Sequence, residues 1–178
     1  MQGFRAEIKW KLDSAKRAAL IDSVVRTWPE KDRLAFEDLW KAAWIFIHEQ
    51  CIFEVNSMPV VGEVLVVEEE DDLNEEFKKT LFTADHCRLA PASAREFLRT
   101  DRRLNKMYMR IMKASTLREW GTLEKSGIRE VQHKWTLYRN AWTAFGAIHC
   151  PQTTADAWKT RITNARIDQL RNFAEIAQ

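Results

Sequence analysis

Two His-Cys dipeptides are the residues of this chain that most suggest chemistry. His86 with Cys87 and His149 with Cys150 together supply the side chains of a Cys2His2 zinc site. Adjacent residues point in different directions, however, and rarely both bind one tetrahedral metal. A Cys–His nucleophile pair is disfavoured as well, because no third group that would orient the histidine is evident. We therefore predict no catalytic residue, no metal and no cofactor, and a disulfide or buried thiols instead.

A second set of polar groups lies on apolar helical stripes. Gln132, Trp135, Arg139 and Trp142 have one face of a helix in common, because they follow one another at intervals of 3, 4 and 3 residues. A guanidinium held near a core needs acceptors from other segments. The alternative to such a buried network is an exposed recognition site. We favour a structural network that fixes the register of the helices, formed by Asp101, Asn105, Arg139 and Arg166.

Two other groups of charged residues have both a functional and a structural interpretation. The run Glu68, Glu69, Glu70, Asp71 and Asp72 lacks the glycine and ligand spacing of an EF-hand, so we interpret it as a solvated acidic turn entering a short helix. His48 with Glu49 would be an acid/base pair, but a surface or capping role is favoured for both.

Composition points to a helical protein without a membrane span. The 178 residues suit one large domain or two small ones, and the low counts of five Gly and four Pro favour long helices. A net charge of +2 with interleaved signs gives no electrostatic case for nucleic acid. No apolar run approaches the length of a membrane span.

The compartment stays open. The N-terminus lacks a basic region followed by an apolar stretch, so it does not read as a signal peptide. The protein is therefore cytoplasmic, or it is periplasmic or otherwise exported and a leader has been removed. Three cysteines permit one disulfide and one remaining thiol.

Hydrophobic periodicity predicts an all-α bundle of about five to six helices. The only β-like passage, Val60 to Val67, is predicted to form a short extended segment. Paired tryptophans recur on a long helix in each half, which suggests two related helical hairpins. We expect residues 1–83 to form an N-terminal helical hairpin plus an acidic loop, and residues 84–178 a second helical domain, packed as one unit. The five long predicted helices run over residues 6–26, from 31 or 32 to 51, 91–113, 128–148 and from a cap at 153 or 154 to about 177, and short helices are predicted over 73–82 and 116–124.

A family resemblance covers roughly residues 85–175. The family pattern is a Cys, D-x-x-L-N-x-x-Y, Q-x-x-W-x-x-Y/F-R-D, a late Cys and T-x-x-R-I-x-x-L. In order and local spacing this stretch resembles the LprI-like family, named after a mycobacterial lysozyme-inhibitor lipoprotein. The matching residues are Cys87; Asp101, Leu104, Asn105 and Tyr108; Gln132, Trp135, Tyr138 and Arg139; Cys150; and Thr163, Arg166, Ile167 and Leu170.

The chain departs from this family at two places. Asn140 stands where the family has Asp, and the family's next Cys is absent near Thr143. The resemblance then leaves Cys87 and Cys150 as the candidate disulfide.

The resemblance also implies a function. Family members are typically periplasmic or lipid-anchored and are treated as non-catalytic binding modules, and similar domains look like immunity proteins. We expect a protein that is not an enzyme and that has a protein partner. It would bind and inhibit a lysozyme-like cell-wall hydrolase or neutralise a secreted toxin. The alternatives are a cytoplasmic helical adaptor or chaperone and, only if bound zinc or a reactive thiolate were found, an enzyme.

The contact surface is predicted on the irregular stretch Met58 to Asp72, because loops on rigid scaffolds commonly carry recognition. Its acidic end, residues 68–72, would suit a basic partner through electrostatic steering.

Overall fold

The protein is all-helical over the part of the chain that its structure describes. A computed structural model describes residues 2–55, 62–115, 123–171 and 173, and within these ranges it contains no strand. This confirms the predicted all-α class and bundle architecture. The helices are α1 (Gln2–Val25), α2 (Glu30–Phe53), α3 (Gly62–Asp85), α4 (Ala94–Lys113), α5 (Lys125–His149) and α6 (Ala155–Gln169).

Local sequence signals explain where several helices begin. Pro29 precedes the first residue of α2 and separates it from α1. Ser93 caps α4 in a reciprocal box, accepting from the backbone N–H of Glu96 while the Glu96 carboxylate accepts from the backbone N–H of Ser93. The predicted start of α4 at Pro91 is therefore wrong by three residues. Thr154 caps α6 by accepting from the backbone N–H of Ala157 at 3.2 Å.

The six helices form two units of three helices with the same internal arrangement. In the first unit α3 packs against both α1 and α2, and in the second α6 packs against both α4 and α5. The units meet where α2 packs antiparallel to α5, since Asp32 contacts His149 at one end and Phe53 lies against Gly127 at the other. The first two helices of each unit, which were predicted to form related hairpins, make few direct contacts with each other in the described residues, and the third helix packs against both.

One aromatic core joins the two units. Trp142 of α5 stacks on Trp158 of α6 with ring centroids 5.6 Å apart, and it also contacts Phe77 of α3 at 5.4 Å. Gly146 makes the α5–α6 approach possible, because a Cβ there would lie 2.1 Å from the Trp158 indole nitrogen. The largest side chains with almost no exposed surface are Phe46, Phe77, Trp142, Phe145, Trp158 and Arg166.

The extended segment predicted near residues 60–67 is wrong from residue 62 onward, because α3 begins at Gly62; residues 60 and 61 lie outside the described residues. The buried positions Leu73, Phe77 and Leu81 recur at helical spacing, and Val66, two turns before Leu73, packs against the same core. Burial along this stripe outweighs the β propensity of the valines. The predicted acidic loop at residues 68–72 is wrong as well, because these residues lie within α3. A helix predicted over 116–124 lies largely outside the described residues, and 123–124 are not helical.

A disulfide fastens the first unit to the second. Cys87, just after α3, is bonded to Cys150, just after α5, with an S–S distance of 2.09 Å. This is the pairing that the family resemblance implied. The bond closes a loop of 63 residues, for which the chain-entropy model gives a stabilisation of about 4 kcal/mol.

Replacing both bonded cysteines, as Cys87→Ser with Cys150→Ser, should lower the free energy of unfolding by about 4 kcal/mol, because the unfolded chain regains loop entropy. The measurement is urea unfolding, with Cys51→Ala as a control that keeps the bond. A reducing agent should shift the midpoint of the unaltered protein and leave that of the double variant in place. If the reducing agent did not change the urea midpoint of the unaltered protein, this result would contradict the presence of the disulfide.

Candidate functional site

Three of the four residues predicted to form a polar network lie together. Arg139 Nη1 donates to Asp101 Oδ1 at 2.7 Å, and Asn105 Nδ2 donates to the other carboxylate oxygen at 3.1 Å. The Arg139 guanidinium also lies over the Trp135 ring, 4.6 Å from its centroid. Asp101 keeps 29% of its side chain exposed, so this cluster joins α4 to α5 at the edge of the core.

Arg166, the fourth predicted residue, belongs to a different and fully buried cluster. Its guanidinium makes a two-pronged ion pair with Glu54, at 2.8 Å from Nη1 to Oε2 and 2.5 Å from Nη2 to Oε1. The two side chains are 0% and 1% exposed. Gln50, Gln132 and Gln169 supply further acceptors for the same guanidinium. The four residues therefore belong to two clusters. The prediction that Arg166 shares one network with Asp101, Asn105 and Arg139 is wrong.

Glu54 is the residue that sequence reasoning missed. It sits at the C-terminal cap of α2, 112 residues before Arg166 in the chain. A signal for it was present, because Glu54 continues the buried stripe of Ile47 and Cys51 at helical spacing. A carboxylate on an apolar stripe requires a buried cation as its partner, but the neighbouring sequence does not identify which arginine supplies that cation.

A buried thiol and a half-buried carboxylate lie beside this cluster. Burial, with the nearby charges of Glu70 and Glu69, raises the pKa of Cys51 to about 12. Burial also raises the pKa of Glu69, although the hydrogen bond from Gln50 at 2.8 Å opposes the shift. Cys51 is the free cysteine of the chain and stays protonated at neutral pH, so it is not an activated nucleophile.

The five acidic residues proposed for partner binding lie in the middle of α3, where they point in several directions. Asp71 forms a salt bridge with Arg17 of α1 at 2.8 Å, and Glu69 accepts a hydrogen bond from Gln50 of α2. Glu68 and Asp72 are exposed and one turn apart, and Glu70 is half-buried. The structure therefore divides this set, leaving Glu68 and Asp72 as the carboxylates best placed to meet a partner.

A buried Asp–His pair sits next to the disulfide. His149 Nδ1 lies 3.3 Å from Asp32 Oδ2, and each side chain is 8% exposed. The imidazole stacks on Phe145 and contacts Trp28. Asp32 lies in the first turn of α2, where the helix dipole stabilises a carboxylate, and His149 lies in the last turn of α5, where the dipole would stabilise a protonated imidazole. The neighbouring sulfur of Cys150 is in the disulfide, so it supplies neither a thiolate nucleophile nor a zinc ligand.

The surface carries two features that the predicted site did not include. Trp44 on α2 is 61% exposed and stacks on His48, with Ile45 and Ile52 exposed nearby on the same helix. The outer side of α4 carries a dense set of arginines and lysines. Both features follow from helical spacing and were visible in the sequence once α2 and α4 were placed.

The described residues contain no group of three or more His, Cys, Asp or Glu placed to hold a metal ion. Over the same ranges, none of the helices combines the length and apolarity needed to cross a membrane. A cavity lined by Phe46, Tyr138, Arg166 and Gln169 among others has space for about one or two water molecules.

The chain matches no family model, no curated protein and no solved structure. Its own geometry is therefore the basis for a functional proposal. That geometry defines an all-α, disulfide-bonded bundle with charged clusters in and around its core.

Replacing Arg166 by Met should cost about 3–5 kcal/mol of stability, because Glu54 would remain buried without a counter-charge. Arg139→Met is the matched control and should cost less, since Asp101 is partly exposed to water. Adding Glu54→Leu to Arg166→Met should restore much of the loss. Urea unfolding measures all three, and equal losses for Arg166→Met and Arg139→Met would contradict the assignment.

Titration with a thiol reagent at pH 8 should detect no thiol in the folded, unreduced protein, because burial holds the pKa of Cys51 at about 12. Unfolding without reductant should release one thiol, and unfolding with reductant should release three. A Cys51→Ala variant is the control and should lack the first of these thiols. Rapid labelling of the folded protein would show that Cys51 is accessible.

Proposed function

We propose that the protein is a non-catalytic binding module. In this proposal it binds and inhibits a lysozyme-like cell-wall hydrolase, or neutralises a secreted toxin as an immunity protein. The kinship with the LprI-like family is part of the same proposal. The partner is a protein, and the module needs no cofactor.

The observation that carries the proposal is the Cys87–Cys150 disulfide. Such bonds form and persist in oxidising compartments, which supports a periplasmic or exported protein. The bond also fastens the two units that pack through α2 and α5. A rigid scaffold favours inhibition, because little conformational entropy is lost when a preorganised surface binds.

The exposed carboxylates of α3 support a basic partner. Glu68 and Asp72 lie one turn apart on the surface of α3 and have no ion pair within the described residues. Glu69 and Asp71 are engaged within the protein and contribute to the scaffold. The proposed contact is therefore narrower than the acidic run as a whole, and it lies on a rigid helix.

A cytoplasmic helical adaptor is the second candidate. Trp44, Ile45 and Ile52 expose 61%, 41% and 50% of their surface on one helix, and tryptophan is enriched at binding hot spots. An apolar helical face of this kind suits a partner helix. The disulfide weighs against this candidate, because cytosolic thiols are normally kept reduced.

The test is inhibition of purified lysozyme and of candidate toxins by the purified, oxidised protein. We expect Glu68→Gln with Asp72→Asn to slow association by about tenfold at low ionic strength, because the steering charge is removed. At high salt the association rates of the variant and of the unaltered protein should become equal, because salt shortens the Debye length to a few ångströms and screens the steering charge. Glu37→Gln with Asp38→Asn removes the same charge from exposed positions of α2 and is the control.

Two outcomes separate the parts of the proposal. Equal association rates for the two variants would place the contact elsewhere on the protein. An oxidised protein that binds no hydrolase or toxin, but captures a helical partner through Trp44, would favour the adaptor.

A further inference from the structure

The outer face of α4 carries a continuous stripe of cations. Seven exposed basic residues fall within an arc of about 100° around the helix axis and span about 27 Å along it. We propose that this stripe, the basic face, binds the surface of an anionic phospholipid bilayer. The basic face consists of Arg95, Arg99, Arg102, Arg103, Lys106, Arg110 and Lys113.

Six of the seven charges of the basic face are available to a ligand. Both acidic residues of α4 are used elsewhere, since Glu96 closes the capping box on Ser93 and Asp101 pairs with Arg139. Six cations of the stripe form no ion pair with any residue in the described ranges, namely Arg95, Arg99, Arg102, Arg103, Lys106 and Lys113. The face therefore presents a row of cations with one exposed carboxylate near it, that of Glu96 beside Arg99.

The opposite face of α4 is fixed to the protein. Leu104 and Ile111 are buried, and α4 packs against α6. Arg139 holds Asp101 from α5, and Lys159 of α6 lies over the Phe97 ring. The helix is thus a rigid edge of the second unit, and it can dock without unfolding or detaching.

The shape of the stripe favours a flat ligand over a groove. A helix that enters the major groove of DNA meets phosphates on both flanks, with base edges between them. Here the cations cover a narrow arc, so they all face the same way along a straight line. A planar layer of lipid phosphates can meet all of them at once, and clusters of four to eight cations on an amphipathic helix are typical of binding to anionic lipids.

Two apolar side chains on one flank of the stripe also indicate a bilayer. Leu98 and Met109 are each 50% exposed, and their spacing of 11 residues puts them on the same side of α4. Next to lipid headgroups they can enter the boundary of the acyl region, where apolar groups gain from leaving water. A nucleic-acid backbone offers them no such environment.

The charge distribution of the whole molecule would orient it at such a surface. The acidic residues concentrate on α3, which belongs to the other three-helix unit, while α4 is strongly basic. The net charge of +2 conceals this separation. The basic face would approach an anionic bilayer, and the acids of α3 would be repelled by it.

The test is flotation of the full-length oxidised protein with two kinds of vesicle. One contains phosphatidylcholine alone, and the other adds about 30% phosphatidylglycerol. We expect binding to the anionic vesicles alone, and release at high salt. Arg99→Gln with Arg103→Gln and Lys106→Gln should weaken binding about 100-fold, because each cation near such a surface contributes a factor of about five.

The matched control is Lys31→Gln with Lys79→Gln and Arg129→Gln. These three cations are exposed on α2, α3 and α5, so the control has the same net charge as the α4 variant. It should bind anionic vesicles nearly as well as the unaltered protein. Equal losses in the control and the α4 variant would overturn the proposal, because binding would then follow net charge alone.

A second variant separates a bilayer from other polyanions. Leu98→Gln with Met109→Gln should reduce vesicle binding about tenfold while leaving binding to a DNA duplex of about 20 base pairs unchanged. A protein that binds the duplex more tightly than the vesicles would overturn the bilayer assignment in favour of nucleic acid. Absence of binding to anionic vesicles at low salt would overturn it outright.

Discussion

The pairing of Arg166 with Glu54 is the constraint on which the rest of the structure depends. Both charges are removed from water, so neither is stable in the core without the other. The pair joins α6 of the second unit to the end of α2 of the first, and glutamines from three different segments complete it. It therefore fixes the register of helices that apolar packing alone would allow to slide.

The two units repeat one design around that contact. In the first unit Arg17 of α1 forms a salt bridge with Asp71 of α3, and in the second the Thr154 hydroxyl, at the start of α6, donates to the Ala92 carbonyl just before α4. The antiparallel packing of α2 on α5 brings the units together, and the Cys87–Cys150 bond closes one end of that interface. The polar clusters thus hold the helices and the two units together.

Those outer faces carry opposite signs. The first unit presents the acids of α3 and the exposed Trp44 of α2, and the second presents the cations of α4. If both proposals hold, this disulfide-bonded module would engage a protein through one face and an anionic bilayer through the other. In that arrangement an inhibitor or immunity protein would be held where its partner acts.

The sequence by itself determined the helical class, the capping threonine of α6 at residue 153 or 154, and the positions of Asp101 and Arg139 on the apolar stripes of their own helices. Each of these is encoded by neighbouring residues or by helical spacing, so short stretches are sufficient to predict it. Only the tertiary structure decided that Gly62–Asp85 is one helix, because packing against the shared core stabilises this segment by more than the β propensity of its valines opposes a helix. It also decided the partner of Arg166, since a charge pair separated by 112 residues depends on how the two units pack.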